Sequence, residues 1–347
     1  MEIEIVVLTE AVLQAHPQVY HYTDRGGFQG IVDSNTLWAT FYKDLNDTTE
    51  VTLLREPLCK ALVQHFVQTI REKAKTSLKV RMAADKEGGV VASATSAARS
   101  LVAALYESAF DRQGGRNLID PYIVSLCSHS DPYEQRSGLL SQWRGYGGNG
   151  GYCLVFDTKE LAELLTLEQD RHYYAYGGVW PVAYAHDDFD LNERFPNLLS
   201  GCTEVFAAAI DHRRTRRSQD EPTVEIPSEG LAHFMTGVTL FKHQGFKEEA
   251  EVRIIAMAGN EHTVELGRKQ DPNFVFAPLK EVHPGARADG SQKRFIKLFE
   301  GLGSRLPIKH VIVGPSRHQQ ENAEWARALV GPSVPVTCSE TPYLPPA

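Results

Sequence analysis

Residues 19–41, VYHYTDRGGFQGIVDSNTLWATF, decide the fold class. VYHYT (19–23) and LWATF (37–41) are short runs of aromatic and β-branched residues, which is the composition of strands. Between them, Gly26-Gly27-Phe28-Gln29-Gly30-Ile31-Val32 predicts a turn and a short helix. The rest of the chain also mixes strands and helices, without a regular βαβ rhythm. The expected class is therefore α+β rather than a doubly wound α/β sheet.

Beyond this stretch the character changes. LLREPLCKALVQHFVQTIREKAK (53–75) and ASATSAARSLVAALYESAF (92–110) space their apolar residues at helical intervals, and Lys86-Glu87-Gly88-Gly89 breaks the two apart. This predicts a helical insertion over 51–118 within a single domain spanning 1–347. Strands are expected at 122–127, 151–156, 178–184, 252–256, 262–266, 309–313 and 334–338. LAELLTLEQ (161–169) and ENAEWARALV (321–330) read as helices. Residues 186–220 are polar and carry no clear period.

With 347 residues, 42% hydrophobic and 23% charged, the chain can bury a sizeable core. A net charge of −8 argues against a protein coated in nucleic acid, although it leaves room for a local basic cleft. The start, MEIEIVVLTE, lacks the basic and apolar regions of a signal peptide, and no run reaches the ~18 apolar residues of a membrane span. A cytoplasmic protein that does not engage a membrane is expected. Cys59, Cys127, Cys153, Cys202 and Cys338 form no CxxC pair, so buried free thiols are expected rather than a zinc ribbon or disulfides.

Five short clusters stand out. They are Tyr20-His21-Tyr22-Thr23; Leu45-Asn46-Asp47 with Glu50; Trp143-Arg144-Gly145-Tyr146-Gly147; Phe246-Lys247-Glu248-Glu249-Ala250-Glu251-Val252-Arg253; and Ser339-Glu340-Thr341-Pro342-Tyr343 after IKHVIVGP (308–315). In this order they resemble a widespread bacterial domain-of-unknown-function family with HYT, LND, WxxYG, ExExR and SxxPY motifs. That motif set is in turn similar to the ADP-ribosyltransferases, whose fold is a split β-sheet core.

The resemblance implies an enzyme that takes NAD as substrate, cleaves its nicotinamide–ribose bond and passes ADP-ribose to a macromolecule, either protein or nucleic acid. A bacterial toxin or phage-defence effector is the setting it implies. Carried over residue by residue, His21 would hydrogen-bond the adenosine ribose and the Tyr22 backbone would face the nicotinamide amide. Trp143 or Tyr146 would cover the nicotinamide ring. Thr23 and Arg144 join them in the cofactor-binding set. Glu251 would be the catalytic carboxylate, with Glu249 tuning acceptor choice. The chain departs from that pattern in lacking a Gly after His21 and in having WxxYG where a serine-rich block is usual.

The chemistry gives these residue types a reason. Nicotinamide–ribose cleavage passes through an oxocarbenium-like state, which a carboxylate stabilises. Aromatic rings suit a flat heterocycle, and a neutral imidazole can donate to or accept from a sugar hydroxyl. On one strand, Glu249, Glu251 and Arg253 would share a face.

Plainer roles stand beside each of these. His21 could be a hydrogen-bonded core histidine, and the two glutamates could be partners of Arg253. Asn46-Asp47 suits a turn or helix cap, and Asn149-Gly150 suits a hairpin turn. The glycines around Gly147 lack the Lys-Ser/Thr of a phosphate loop. Cys127 with His129 has no evident third group for thiol catalysis, and His186-Asp187-Asp188 lacks metal-ligand spacing. HRRTRR (212–217) reads as a solvated loop or as a contact to phosphate. Two rival functions remain: a metal-dependent nucleotide or nucleic-acid hydrolase using Glu249 and Glu251, and a non-catalytic nucleotide- or protein-binding module.

Overall fold

A computed structural model describes residues 8–45, 50–110, 119–148, 150–186, 189–215, 228–273, 275–286 and 290–343. The chain divides into two compact units. One comprises Met1–Asn46, Ile119–Val182 and Gln244–Ala347; the other comprises Asp47–Leu118 and Ala183–His243. In chain order the elements are α1 (Glu10–Ala15), β1 (Gln18–Thr23), α2 (Arg25–Ser34), β2 (Leu37–Phe41), α3 (Glu50–Leu53), α4 (Arg55–Thr76), α5 (Leu78–Lys86) and α6 (Val90–Phe110). Then come β3 (Asp120–Cys127), α7 (Pro132–Ser137), α8 (Leu140–Tyr146), β4 (Tyr152–Asp157), α9 (Thr158–Arg171), β5 (Tyr174–Pro181) and β6 (Ala183–Ala185). The remainder is α10 (Leu191–Arg194), α11 (Pro196–Thr215), α12 (Ser228–Leu240), β7 (Phe241–His243), β8 (Glu251–Ala258), α13 (Glu261–Gln270), β9 (His283–Ala286), β10 (Gln292–Leu298), β11 (Ile308–Val313), α14 (Gln319–Val330) and β12 (Val336–Cys338).

The first unit is built on a ten-stranded, mostly antiparallel sheet, so the mixed α+β class holds. Its centre is β3. One edge of β3 pairs along its whole length with β8, from Asp120↔Ala258 to Cys127↔Glu251, and β5 continues the sheet beyond β8. The other edge is shared by two strands. β2 takes the N-terminal part through Thr40↔Ile123 and Phe41↔Tyr122, and β1 takes the C-terminal end at Tyr20↔Cys127 alone. From there the sheet forks. β1 runs on to β4, β11 and β12, and β2 runs on to β10 and β9.

Local sequence explains the elements around the fork. Asp24 caps α2, its carboxylate accepting from the Gly27 amide at 2.7 Å, and Phe28 and Ile31 turn the helix's apolar face inward. Phe28 stacks on Tyr152 of β4 at 4.5 Å between ring centroids. β3, β4 and β8 are buried along nearly all their length, and such strands read as continuous apolar runs rather than alternating ones.

The second unit is mainly helical and also contains the β6–β7 pair. The expected helices at 53–75 and 92–110 are α4 and α6, and residues 183–243 contribute α10, α11 and α12 to the same unit. Leu58, Leu62, Phe66 and Ile70 form the buried stripe of α4 at i, i+4 spacing. No single helix among the described residues is long and apolar enough to cross a membrane.

Two expected strands change. Residues 262–266 lie in helix α13, because Asn260 and Thr263 form a reciprocal cap: Asn260 Oδ1 accepts from the Thr263 amide, and Thr263 Oγ1 accepts from the Asn260 amide, each at 3.1 Å. The strand expected at 178–184 is two strands, since β5 ends at Pro181 and β6 pairs in parallel with β7. Proline has no N–H with which to continue a ladder. Strands β7, β9 and β10 and helices α1, α7, α8 and α10–α12 lie outside the elements expected from the sequence.

Candidate functional site

Strand pairing determines which motif residues share a face. Tyr20, Tyr22, Cys127, Trp143, Cys153, Val155 and Ile312 form one buried apolar cluster. Cys127 is the cross-strand partner of Glu251, and Ser125 that of Arg253, so the ExExR carboxylate and guanidinium belong to the same face of the sheet. His21 alternates to the other side of β1. The HYT, WxxYG and ExExR blocks thus meet around β1, β3 and β8, with His21 at the fork and the other side chains on the Tyr22 face.

At the fork, β1 and β3 are bonded at one register position only. The Ser125 carbonyl, two residues along from Cys127, is met instead by His21 Nδ1 at 3.2 Å. A side chain thereby satisfies a carbonyl that the ladder would otherwise have paired. Burial holds the His21 pKa below its ordinary value, with the Ser125 hydrogen bond opposing that shift. A neutral ring that donates from Nδ1 carries its lone pair on Nε2. Ser125 is exposed between the buried neighbours Val124 and Leu126.

Tyr22 joins three motifs. Its hydroxyl accepts from the Leu139 amide at 2.9 Å and lies 2.7 Å from His129 Nε2, to which it donates. Burial pushes the His129 pKa down to about 4, which keeps its ring neutral, and His129 Nδ1 lies 3.6 Å from a Glu134 oxygen. The Tyr22 ring meets Trp143 edge-on at 4.7 Å between centroids. Cys127, weighed above as a thiol partner for His129, is buried in the apolar cluster.

Trp143 is 2% exposed, and its indole N–H donates to the Ser137 carbonyl at 2.9 Å. A side chain at Gly138 or Gly314 would strike its ring at 2.6–2.9 Å. The same Ser137 carbonyl accepts from Ser339 Oγ, and the Arg144 guanidinium sits 5.1 Å from the centre of the Tyr343 ring. The SETPY segment is therefore folded onto the WRGYG helix. Trp143 is a packed core residue with no face open for a ligand, whereas Tyr146, one helical turn on, is 43% exposed.

The ExExR segment corrects one expectation. Glu249 does not share a strand face with Glu251 and Arg253. Gln244–Glu249 is a 3₁₀ turn, Ala250 takes a left-handed φ of 43°, and β8 starts only at Glu251. The Ala250 amide donates back to the Lys247 carbonyl at 3.1 Å, and its carbonyl accepts from the Ser128 amide at 2.9 Å. Within β8, Arg253 Nε and a terminal guanidinium nitrogen hold the two Glu251 oxygens at 2.9 and 3.0 Å, with the side chains 1% and 3% exposed. The expected carboxylate partner of Arg253 is thus Glu251, two residues away.

Residues 142–254 match the family model described as Protein of unknown function (DUF2971). The match runs from α8 into β8, so it takes in the WxxYG and ExExR blocks and about a third of the chain. Likeness to a domain-of-unknown-function family is shown over that stretch. No curated protein and no solved structure matches the chain.

The remaining candidates fall as follows. Asn46-Asp47, Asn149 and Asp187-Asp188 lie outside the described residues, as does the end of HRRTRR beyond Thr215. The WRGYG block forms most of helix α8. Among the described residues, no group of three or more His, Cys, Asp or Glu side chains is arranged to hold a metal ion. The five cysteines are free thiols. Sequence reasoning missed His129 as the partner of Tyr22 and Ser137 as the shared acceptor. The two are 107 residues beyond Tyr22 and six before Trp143, and only the hydrogen bonds reveal them.

Proposed function

We propose that this chain binds NAD at the β1–β2 fork and cleaves its nicotinamide–ribose bond, passing the ADP-ribose to a macromolecule or to water. The observation that carries this reading is the fork itself. The sheet splits beside a histidine whose Nδ1 is committed to the Ser125 carbonyl, which leaves Nε2 as an acceptor for a sugar hydroxyl. A split sheet with a histidine on its first strand is what the ADP-ribosyltransferase resemblance implies.

In this reading, Arg253 fixes the buried Glu251 carboxylate through two hydrogen bonds on the face of the sheet opposite His21, and ligand binding would have to part the strands at the fork for that carboxylate to meet the ribose where positive charge develops. Tyr22, Trp143, Ser137 and Ser339 brace the site without touching substrate. The exposed Tyr146 and the half-buried Glu249 are the motif residues that an acceptor would meet in this reading. A toxin or phage-defence effector is the biological setting this chemistry suits.

The test is nicotinamide release from NAD by the full chain, with and without a cell extract as acceptor. Wild type should release nicotinamide, and His21→Ala should raise KM and lower kcat/KM by about tenfold or more, the scale of one lost hydrogen bond to a sugar. No release under any condition, together with no NAD binding, would refute the proposal.

A further inference from the structure

Trp38 is 47% exposed in the middle of β2, although its neighbours Leu37 and Ala39 are buried. β2 pairs with β10 and β10 with β9, and the registers define one face of this arm of the sheet. Trp38 lies opposite Lys297, Phe295 opposite His283, and Lys293 opposite Gly285. Because side chains alternate along a strand, Lys293, Phe295 and Lys297 share the face of Trp38. The other face of β2 and β10, with Leu37, Ala39, Ile296 and Leu298, is core.

The tryptophan is held as a flat platform. Its ring stacks on Phe295 at 4.2 Å between centroids and 18° between planes, and His283 lies 5.5 Å from Phe295. Gly285 keeps the strip flat, since a Cβ there would come within 3.1 Å of the Phe295 ring and 3.3 Å of the Lys293 stem. Lysines stand at both ends. Lys293 Nζ lies 5.9 Å from the indole centroid and forms no ion pair with a described residue. Lys297 pairs with the exposed Glu300 at 3.4 Å, and a solvent-exposed pair of this kind is weak enough to yield to a phosphate. Arg294 is not part of the strip, because Asp44 holds its guanidinium at 3.0 and 3.1 Å.

We infer that this face binds single-stranded nucleic acid, with one base stacked on Trp38 and phosphates at Lys293 and Lys297. The two lysines are about 13 Å apart along β10, and Phe295 with its stacked indole lies between them. A ring flanked by two cations suits a base between two phosphates, whereas an apolar peptide would gain nothing from the lysines. An unpaired base offers its flat face to an aromatic ring, and a base inside a duplex does not. With a net charge of −8 on the chain, the attraction is local and rests on these two cations. The site needs no NAD and is independent of the chemistry proposed at the fork.

The probes are labelled oligothymidine and oligouridine of twelve nucleotides and a duplex of the same length. Each is titrated with the full chain at low salt, without NAD, and followed by fluorescence anisotropy. Wild type should bind a single strand saturably and more tightly than the duplex, and the tighter of the two oligonucleotides tells DNA from RNA. Trp38→Leu, which keeps an apolar cover on Phe295 but no ring, should weaken binding by about tenfold or more, and Trp38→Phe should restore most of it. Lys293→Gln combined with Lys297→Gln should flatten the slope of log affinity against log salt by about 1.4, at about 0.7 per phosphate contact on a single strand. Lys159→Gln, which removes an exposed charge from α9, is the control and should change neither affinity nor slope. Thermal melting checks that each variant is folded, and if Trp38→Leu is not, the salt slope of the lysine variant decides. No saturable binding, equal affinity for the duplex, or an affinity unchanged in folded Trp38→Leu would overturn the inference. So would a salt slope that the two lysine substitutions leave as it was.

Discussion

Replacing Glu251 by Gln should cost far more stability than a surface change, because it leaves Arg253 charged in a place water cannot reach. Both partners are at most 3% exposed, and the guanidinium makes two hydrogen bonds of 2.9 and 3.0 Å to the carboxylate. Solvent screening therefore gives no discount. Breaking one side of such a pair costs about 3–5 kcal/mol, and a glutamine oxygen that still accepts one guanidinium N–H puts the expectation near ~3 kcal/mol. For a unit of this size that is roughly a 6–12 °C fall in melting temperature, at about 2–4 °C per kcal/mol.

The companion variant replaces both residues, Glu251→Leu with Arg253→Met. It removes the two charges together and should recover most of the loss, since an apolar pair of similar volume is often as stable as a buried ion pair. The assay is urea unfolding of the wild type, Glu251→Gln, Glu251→Leu, Arg253→Met and the Leu/Met double variant, with nicotinamide release measured on each. A coupling energy of at least ~2 kcal/mol is expected. If Glu251→Gln alone costs less than ~1 kcal/mol, the ion pair is not what fixes this strand. If the stable double variant keeps full activity, Glu251 is not the catalytic carboxylate.

Other outcomes follow from neighbouring contacts. His129, held at a pKa of about 4 against about 6.5 in an unfolded chain, binds its proton more readily when unfolded. Its stabilising contribution is therefore complete above pH 6.5 and is lost as the pH falls toward 4, a loss of at most ~3 kcal/mol. Wild type should lose more stability than His129→Gln between pH 7 and pH 4.5 in urea melts, and parallel curves would contradict the assignment. Gly314→Ala would place a methyl group 2.8 Å from the Trp143 ring and 3.0 Å from the Gly151 carbonyl. It should cost about 1–3 kcal/mol by overpacking, and a change below ~0.5 kcal/mol would show that the ring can move aside.

Much of the sheet was legible because its strands are bounded by strong local signals. VYHYT, LWATF and GYCLVFD owe their strand character to aromatic and β-branched residues, and β1, β2 and β4 lie within a residue or so of where those runs placed them. The EHTVEL stretch was misread because its alternation imitates a strand, while the reciprocal Asn260–Thr263 cap decides for a helix. β10 was overlooked because QKRFIKL, four of its seven residues polar or charged, is only intermittently apolar. Glu249 and Glu251 look like one strand face in sequence, and only the left-handed Ala250 separates them.

The motif order showed which blocks belong together, since Tyr22, Trp143, Ser339 and Tyr343 all take part in one packed region. It gave no sign that Trp143 would be sealed in the core, or that His21 would face away from Glu251. Burial and strand parity depend on pairing between residues over a hundred positions apart, and local pattern carries no record of that pairing.

The central claim is that NAD occupies the fork. A crystal of the full chain soaked with NAD, or with a non-cleavable analogue, tests it most directly. The account predicts ligand density between β1 and β2 beside Ser125, with a ribose hydroxyl within hydrogen-bonding distance of His21 Nε2 and the nicotinamide ribose toward Glu251. Density elsewhere on the molecule, or an empty fork in crystals soaked at saturating NAD, would contradict it.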